Sequence, residues 1–145
     1  MFRQFLLATD GSELADRAVA QGLELAKPVG AKVAAVTVTD LYQTGPYSPI
    51  PWPADFERYE AASATSAQQI LNNASAAAQE LGVPCATQHV VDCRSAEGIL
   101  AACQEHACAL IVMSTHGRSS LGKLMLGSQA SKVITLSSAS VLVCR

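Results

Sequence analysis

The sequence has few charged residues and no block in which one sign of charge dominates. Asp, Glu, Lys and Arg make up only 15% of the 145 residues, and the formal net charge is −2. The ten lysines and arginines are scattered along the chain. Nucleic-acid-binding proteins need a basic face, so this distribution argues against nucleic acid as a partner.

Long apolar stretches are also missing. A membrane-spanning helix needs about 20 consecutive apolar residues, and the apolar run at residues 109–113 is far shorter. The first residues lead directly into a predicted strand, without the apolar core and cleavage site of a signal peptide. We therefore expect no membrane association and a cytoplasmic location.

The cysteine pattern supports neither a disulfide framework nor a zinc site. The five cysteines are odd in number and contain no C-x-x-C pair. Most of them then act as small buried hydrophobic residues. Cys93 is the candidate for a reactive thiol, because it lies where a strand gives way to a loop. A reactive thiol is the less favoured interpretation, since Arg94 is the only basic residue obviously placed to lower its pKa.

Strand and helix patterns alternate along the chain, which predicts one α/β domain over residues 1–145. Half of the sequence is hydrophobic, enough for a single core. Hydrophobic periodicity predicts strands at residues 3–9, 31–38, 84–91, 109–113 and 140–145, and helices at 13–27, 56–81, 95–106 and 129–138. Such alternation forms one open, mostly parallel, Rossmann-like sheet with helices on both faces.

The predicted strand order indicates where a ligand site would lie in the sheet. In the order 3-2-1-4-5, the first and fourth strands lie side by side at the switch point where open α/β sheets bind ligands. Asp10 and the loop after the fourth strand would converge there, so we expect a nucleotide pocket at the carboxyl ends of these two strands. Asp10 or Ser12 can cap the first helix, Pro28 and Gly30 end it, and Ser95 can cap the third.

The long loop that begins at Ser114 and ends at Ser128 has the features of a phosphate-binding loop. Gly117 and Gly127 let the backbone turn or approach a ligand closely. Ser128 can cap the following helix and offer its hydroxyl to an anion beside free backbone N–H groups. The alternative is that these residues only turn a loop and cap a helix.

A second long loop, from Asp40 to Asp55, contains four prolines, two tyrosines and the only tryptophan, Trp52. Proline removes backbone donors and restricts its neighbours, so regular structure is excluded. Long loops in compact domains are often functional, and this one could be a lid over the pocket. The residues favour the other interpretation, a loop that packs its aromatic side chains on the surface.

Four stretches are informative when taken together: residues 7–12, 109–118, 127–128 and 141–143. Their combination resembles the universal stress protein family. The resemblance extends over essentially the whole chain and implies the fold predicted above, with a nucleotide-binding branch that carries the motif G-x-x-G-x9-G-S/T. Dimers of the family pair through the last strand, which implies a homodimer here through the strand from Val141 to Cys144.

The resemblance implies adenine-nucleotide contacts at twelve positions. They are Ala8, Thr9 and Asp10 at the adenosine end, Val38 against adenine, and Met113, Ser114, Gly117, Arg118, Ser119, Gly127, Ser128 and Gln129 in or beside the phosphate loop. The implied ligand is ATP, which Mg²⁺ can accompany. No metal site of the protein's own is expected.

Ser114 departs from the motif, which begins with glycine. Its Cβ could weaken binding if the backbone there needs a positive φ. Alternatively, its hydroxyl could bond to the nucleotide.

No catalytic residue is expected. The loop lacks the G-K-[ST] lysine of a P-loop, and His116 is better explained as a structural hydrogen-bonding group than as a general base. We therefore favour a homodimeric stress regulator whose ATP-bound state is recognised by an unidentified protein partner. The alternatives are a dimeric interaction protein that binds no nucleotide, and a slow ATP hydrolase.

Overall fold

The computed structural model describes residues 1–40, 53–92, 94–116 and 126–145. Within these ranges, strands and helices alternate as the sequence predicts. The elements are β1 Gln4–Ala8, α1 Glu13–Val29, β2 Lys32–Asp40, α2 Pro53–Leu81, β3 Cys85–Asp92, α3 Ser95–Glu105, β4 Leu110–Ser114, α4 Ser128–Leu136 and β5 Ser140–Cys144. No described helix has the length and apolar character needed to cross a membrane.

The five strands form one parallel sheet in the order β3-β2-β1-β4-β5, which confirms the predicted fold class. β1 occupies the centre, where Leu6 pairs with Ala34 of β2 on one side and with Ile111 of β4 on the other. The chain leaves β1 toward β2 and later crosses to β4 on the opposite side. The carboxyl ends of β1 and β4 therefore form the switch point.

Helices cover both faces of the sheet, and each face has its own core. Leu7 and Leu23 belong to the core beneath α1 and α2, whereas Leu6 and Val133 belong to the core beneath α3 and α4. Neighbouring residues of β1 point to opposite faces, so this short apolar strand is buried on both sides. Burial of each leucine contributes about 1.5–3 kcal/mol to folding.

The residues that begin and end α1 agree only in part with the sequence-based prediction. The Ser12 Oγ accepts a hydrogen bond from Ala15 N–H at 3.2 Å, so Ser12 rather than Asp10 caps the helix. Gly30 ends it in the left-handed region, with φ 66°. Pro28 lies inside the last turn instead of ending the helix, because its fixed φ suits helical backbone and only one helical N–H is lost.

The predicted caps of the last two helices are wrong. Ser95 and Ser128 are the first residues of α3 and α4, and the residues that precede them, Arg94 and Gly127, form no side-chain capping bond. The backbone hydrogen bonds show where α4 begins. The carbonyl oxygen of Gly127 accepts the first helical hydrogen bond, from Ser131 N–H at 2.9 Å. Ser128 is therefore inside the helix.

Part of the predicted proline-rich loop is helical. α2 begins at Pro53, before the predicted start at Phe56, because the missing N–H of proline has no helical partner in the first turn. Residues 41–52 lie outside the described residues, so the choice between a lid and a surface loop stays a prediction.

The described cysteines behave as buried hydrophobic residues. Cys103, Cys108 and Cys144 are buried and Cys85 is half-buried, and none of the four is in a disulfide. Burial raises the pKa of all four thiols. For Cys108, burial together with the neighbouring Cys103 raises the pKa to about 12. These thiols stay protonated at neutral pH, while Cys93 lies outside the described residues.

Candidate functional site

A cleft of about 890 Å³ opens at the carboxyl ends of the central strands, between α2 on one face of the sheet and α3 and α4 on the other. Its size is typical of small-molecule sites. The predicted residues that line it are Ala8, Thr9, Asp10, Val38, Met113, Ser114, Gly127, Ser128 and Gln129. The other three, Gly117, Arg118 and Ser119, lie outside the described residues. The structure thus brings together every predicted site residue that it describes.

The end of β1 is held by local side-chain bonds. Thr9 is 6% exposed, and its Oγ1 accepts a hydrogen bond from Gly11 N–H at 3.1 Å. The Asp10 Oδ1 accepts one from Ser12 N–H at 2.9 Å. The second carboxylate oxygen of Asp10 has no partner among the described residues, and it is available to a ligand hydroxyl or a cation.

Ser114 is the last residue of β4 and is 8% exposed. Ala107 is the one non-glycine residue with a positive φ in the described ranges, so Ser114 is in ordinary strand backbone and carries no strain from its Cβ. Its hydroxyl donates a hydrogen bond to the carbonyl oxygen of His116 at 2.8 Å. Ser114 therefore organises the start of the loop, and its oxygen can still accept a hydrogen bond.

Gly127 closes the same loop from its other end. Its N–H donates to the carbonyl oxygen of Thr115 at 2.9 Å. A Cβ at position 127 would lie only 3.0 Å from that oxygen and 3.7 Å from the Cα of His116. The φ of −59° suits any residue, so glycine is needed here for close approach and not for an unusual turn.

His116 lies under this closure. Its Nδ1 is 2.9 Å from the hydroxyl oxygen of Thr115, which agrees with a structural hydrogen-bonding role. Its Nε2 is buried and has no hydrogen-bond partner among the described residues.

Two helix N-termini face the cleft through Ser95 of α3 and Ser128 of α4. The first backbone N–H groups of a helix carry partial positive charge and favour anions. Gln129 links the two ends, since its Oε1 accepts a hydrogen bond from Ala96 N–H in the first turn of α3 at 3.0 Å. Gln129 thus supplies from α4 the cap that Arg94 does not give to α3.

Both walls of the cleft mix polar and apolar groups. The wall toward α2 carries the hydroxyls of Thr9, Thr37, Thr39, Ser63 and Ser66 beside the apolar Ala62 and Ile70, and the wall toward α3 and α4 carries Val38, Ile99, Met113 and Ala130 beside the polar Ser95, Ser128 and Gln129. Thr37 and Thr39 alternate with Val36 and Val38, so strand periodicity could have identified them. Helix periodicity puts Ser63 and Ser66 on one face of α2, but it does not indicate which part of that face reaches the cleft.

Charged groups are rare in the described lining. Asp10 is the one acidic residue there, and no lysine or arginine appears among the lining residues that the structure describes. The described ranges also contain no group of three or more His, Cys, Asp or Glu residues that could hold a metal ion. The described part of the lining therefore offers a ligand hydroxyls, backbone N–H groups, one carboxylate and apolar side chains.

Known proteins resemble this chain in both sequence and fold. Residues 1–145 match the universal stress protein family. A universal stress protein of Thermus aquaticus is 33% identical over 145 residues, with all of both chains covered. Among solved structures, hypothetical protein MJ0577 is 25% identical with a TM-score of 0.82 over 99% of this chain and 96% of its own. A universal stress protein in complex with cAMP is 25% identical, with a TM-score of 0.72 over 99% and 97%.

Proposed function

Because the chain belongs to the universal stress protein family, we propose that its cleft binds an adenine nucleotide and that the protein acts through the bound state. The observation that carries this proposal is the convergence of nine motif residues, from four separate parts of the chain, on one cleft. The solved relative with bound cAMP supports the ligand class.

Different parts of the cleft suit the base, ribose and phosphates of a nucleotide. Val38 and Ile99 offer an apolar surface for a purine, and Thr9 and Asp10 offer oxygen atoms for ribose hydroxyls. The N-terminus of α4, with Gly127 beside it, suits a phosphate because its backbone N–H groups face an anion without a side chain between them. The cleft thus offers groups for the base, the ribose and the phosphates of a single nucleotide.

ATP is the nucleotide that we propose, with Mg²⁺ bound alongside it. Among the described residues, Asp10 is the carboxylate that the cleft offers to such a cation, because Mg²⁺ binds through one or two carboxylates and the ligand's own phosphates. Arg118, Ser119 and Gly117 belong to the phosphate end of this proposal. We propose no catalytic step, and the protein is a nucleotide-dependent regulator in the cytoplasm with a protein partner still to be identified.

The proposed homodimer forms through β5, the edge strand of the sheet. Ser140 N–H bonds to Ala109, and the Cys144 carbonyl oxygen accepts from Thr115 N–H, so both face β4. Backbone direction alternates along a strand. The N–H and C=O groups of Val141 and Val143 therefore point to the free edge, where no described residue bonds to them, and an uncovered edge favours pairing with a second copy.

Calorimetric titration of nucleotide-stripped protein with AMP, cAMP, ATP and Mg·ATP tests the ligand class. We expect saturable one-site binding of at least one adenine nucleotide, and displacement of it by the others. GTP serves as the matched control, since it presents the same phosphates with a different base. Absence of heat and of thermal stabilisation with every adenine nucleotide at millimolar concentration would favour the interaction protein that binds no nucleotide.

A further inference from the structure

Gly98 of α3 packs directly against the cleft residue Val38. A Cβ at position 98 would lie 2.9 Å and 3.0 Å from the two γ-methyl groups of Val38, and 3.2 Å from a γ-methyl group of Val90. Val38 and Val90 are register partners on β2 and β3. The helix therefore lies so close to the ends of these strands that only glycine fits without movement of a neighbour.

The backbone conformation of α3 does not require glycine at this position. Gly98 is buried within α3 and does not have a positive φ. Glycine inside a helix is less favourable than alanine by about 1 kcal/mol. The space that Gly98 leaves is instead filled by Val38, whose side chain lines the cleft beside Ile99.

α3 is held in position by α4, which packs beside it on the same face of the sheet. The Ala96 N–H is bonded to the Oε1 of Gln129 at 3.0 Å, and the Glu97 carboxylate lies 3.7 Å from the Lys132 Nζ. A larger side chain at position 98 would therefore displace Val38. Because β-branched side chains have few χ1 choices and Val90 blocks the neighbouring space, the displaced methyl groups would move toward the cleft.

We propose that Gly98 is a positioning residue for the nucleotide base. By lacking a Cβ, it lets Val38 sit back against α3 and sets the depth of the base end of the cleft. This inference rests on the proposed nucleotide function and adds to it the element that shapes the base pocket.

A double-mutant cycle tests the inference. We expect Gly98→Ala to weaken ATP and adenosine affinity by the same factor, roughly tenfold, within the range of coupling between contacting residues. Adenosine shares the base but not the phosphates, so an equal loss assigns the effect to the base end. Val38→Ala alone should lose part of the apolar contact with the base. Adding Gly98→Ala to Val38→Ala should then cause little further loss, because the methyl groups that would be displaced are absent. Ala101→Val, which adds bulk to an exposed position of α3, is the control and should bind like the wild type.

The outcomes separate the inference from the function on which it rests. If the wild type binds nucleotide and Gly98→Ala binds it equally well, the positioning role is overturned and nucleotide binding stays intact. The same holds if Gly98→Ala causes as large a loss in the Val38→Ala background as in the wild type. A wild type that binds no adenine nucleotide would overturn both. If Gly98→Ala does not fold, Val38→Ile becomes the test, since α3 and Val90 pack closely against the γ-methyl groups of Val38 and leave the space toward the cleft for its extra methyl group. We then expect a severalfold loss of affinity, and wild-type affinity would contradict the inference.

Discussion

The backbone N–H of Gly127 and the carbonyl oxygen of Thr115 are joined at 2.9 Å, and a Cβ on Gly127 would lie 3.0 Å from the same oxygen. This contact closes the base of the loop between β4 and α4 and brings the start of α4 to the cleft. The motif glycine is thus explained by a contact within the protein, and its replacement should change the shape of the site before it changes the fold.

Substitution of Gly127 should weaken nucleotide binding in proportion to side-chain size. Gly127→Ala places its Cβ at the limit of contact, whereas Gly127→Val adds two methyl groups beside Thr115 and His116. Overpacking of this kind costs about 1–3 kcal/mol, and each 1.4 kcal/mol is a factor of ten in affinity. Titration with ATP should give a small loss for alanine and a loss of at least about tenfold for valine. Equal affinity of wild type and Gly127→Val would remove the phosphate-loop assignment.

Variants of Gln129 should separate stability from binding. Gln129→Leu removes the acceptor of the Ala96 N–H bond, and loss of a helix cap costs about 1 kcal/mol, measurable as a lower urea midpoint. Gln129→Glu keeps an acceptor at the positive end of α3, so it should retain the stability of the wild type. Its negative charge should nonetheless weaken ATP binding more than adenosine binding. Wild-type ATP affinity in Gln129→Glu would place position 129 away from the phosphates.

The edge of β5 can be blocked without disturbing its pairing with β4. Val143→Pro removes an N–H that points to the free edge, and proline is tolerated at such edge positions. Sedimentation velocity should show the wild type as a dimer and Val143→Pro as a monomer. Val143→Thr keeps the N–H and is the control, expected to stay dimeric. A dimeric Val143→Pro with a wild-type melting temperature would exclude pairing through this strand.

Stability should fall at alkaline pH because of the buried thiols. The pKa of Cys108 is raised from 9.0 to about 12 in the folded protein, so the folded state keeps a proton that the unfolded state loses. The contribution is therefore fully present below pH 9 and decreases above it, by up to about 1.4 kcal/mol per pH unit for one thiol. Urea titrations between pH 8 and 10.5 should show a smaller decrease in Cys108→Ala than in the wild type. Identical slopes would contradict the assigned protonation.

The sequence predicts the site residues that lie at or directly after the carboxyl ends of the strands. Apolar runs locate β1 and β4, and the switch-point rule then brings Asp10 and Gly127 to one place without further information. The α2 residues Ser63 and Ser66 were not predictable, because helix periodicity says which residues share a face but not how far along the sheet that face lies.

The role of Gly98 was hidden for a similar reason. Its need for space arises only where α3 meets Val38 and Val90, which come from two separate strands. Local sequence instead suggests a weakened helix at this position. The caps at Ser95 and Ser128 were mispredicted because residue type alone does not fix where the backbone leaves the extended conformation.

The most direct test of the account is a calorimetric titration of the stripped protein with ATP and Mg²⁺. The account predicts saturable binding to one site per chain with a micromolar Kd, worth roughly −8 kcal/mol, and about tenfold or greater weakening by Gly127→Val. Absence of heat, with no thermal shift at millimolar ATP, AMP or cAMP, would contradict it.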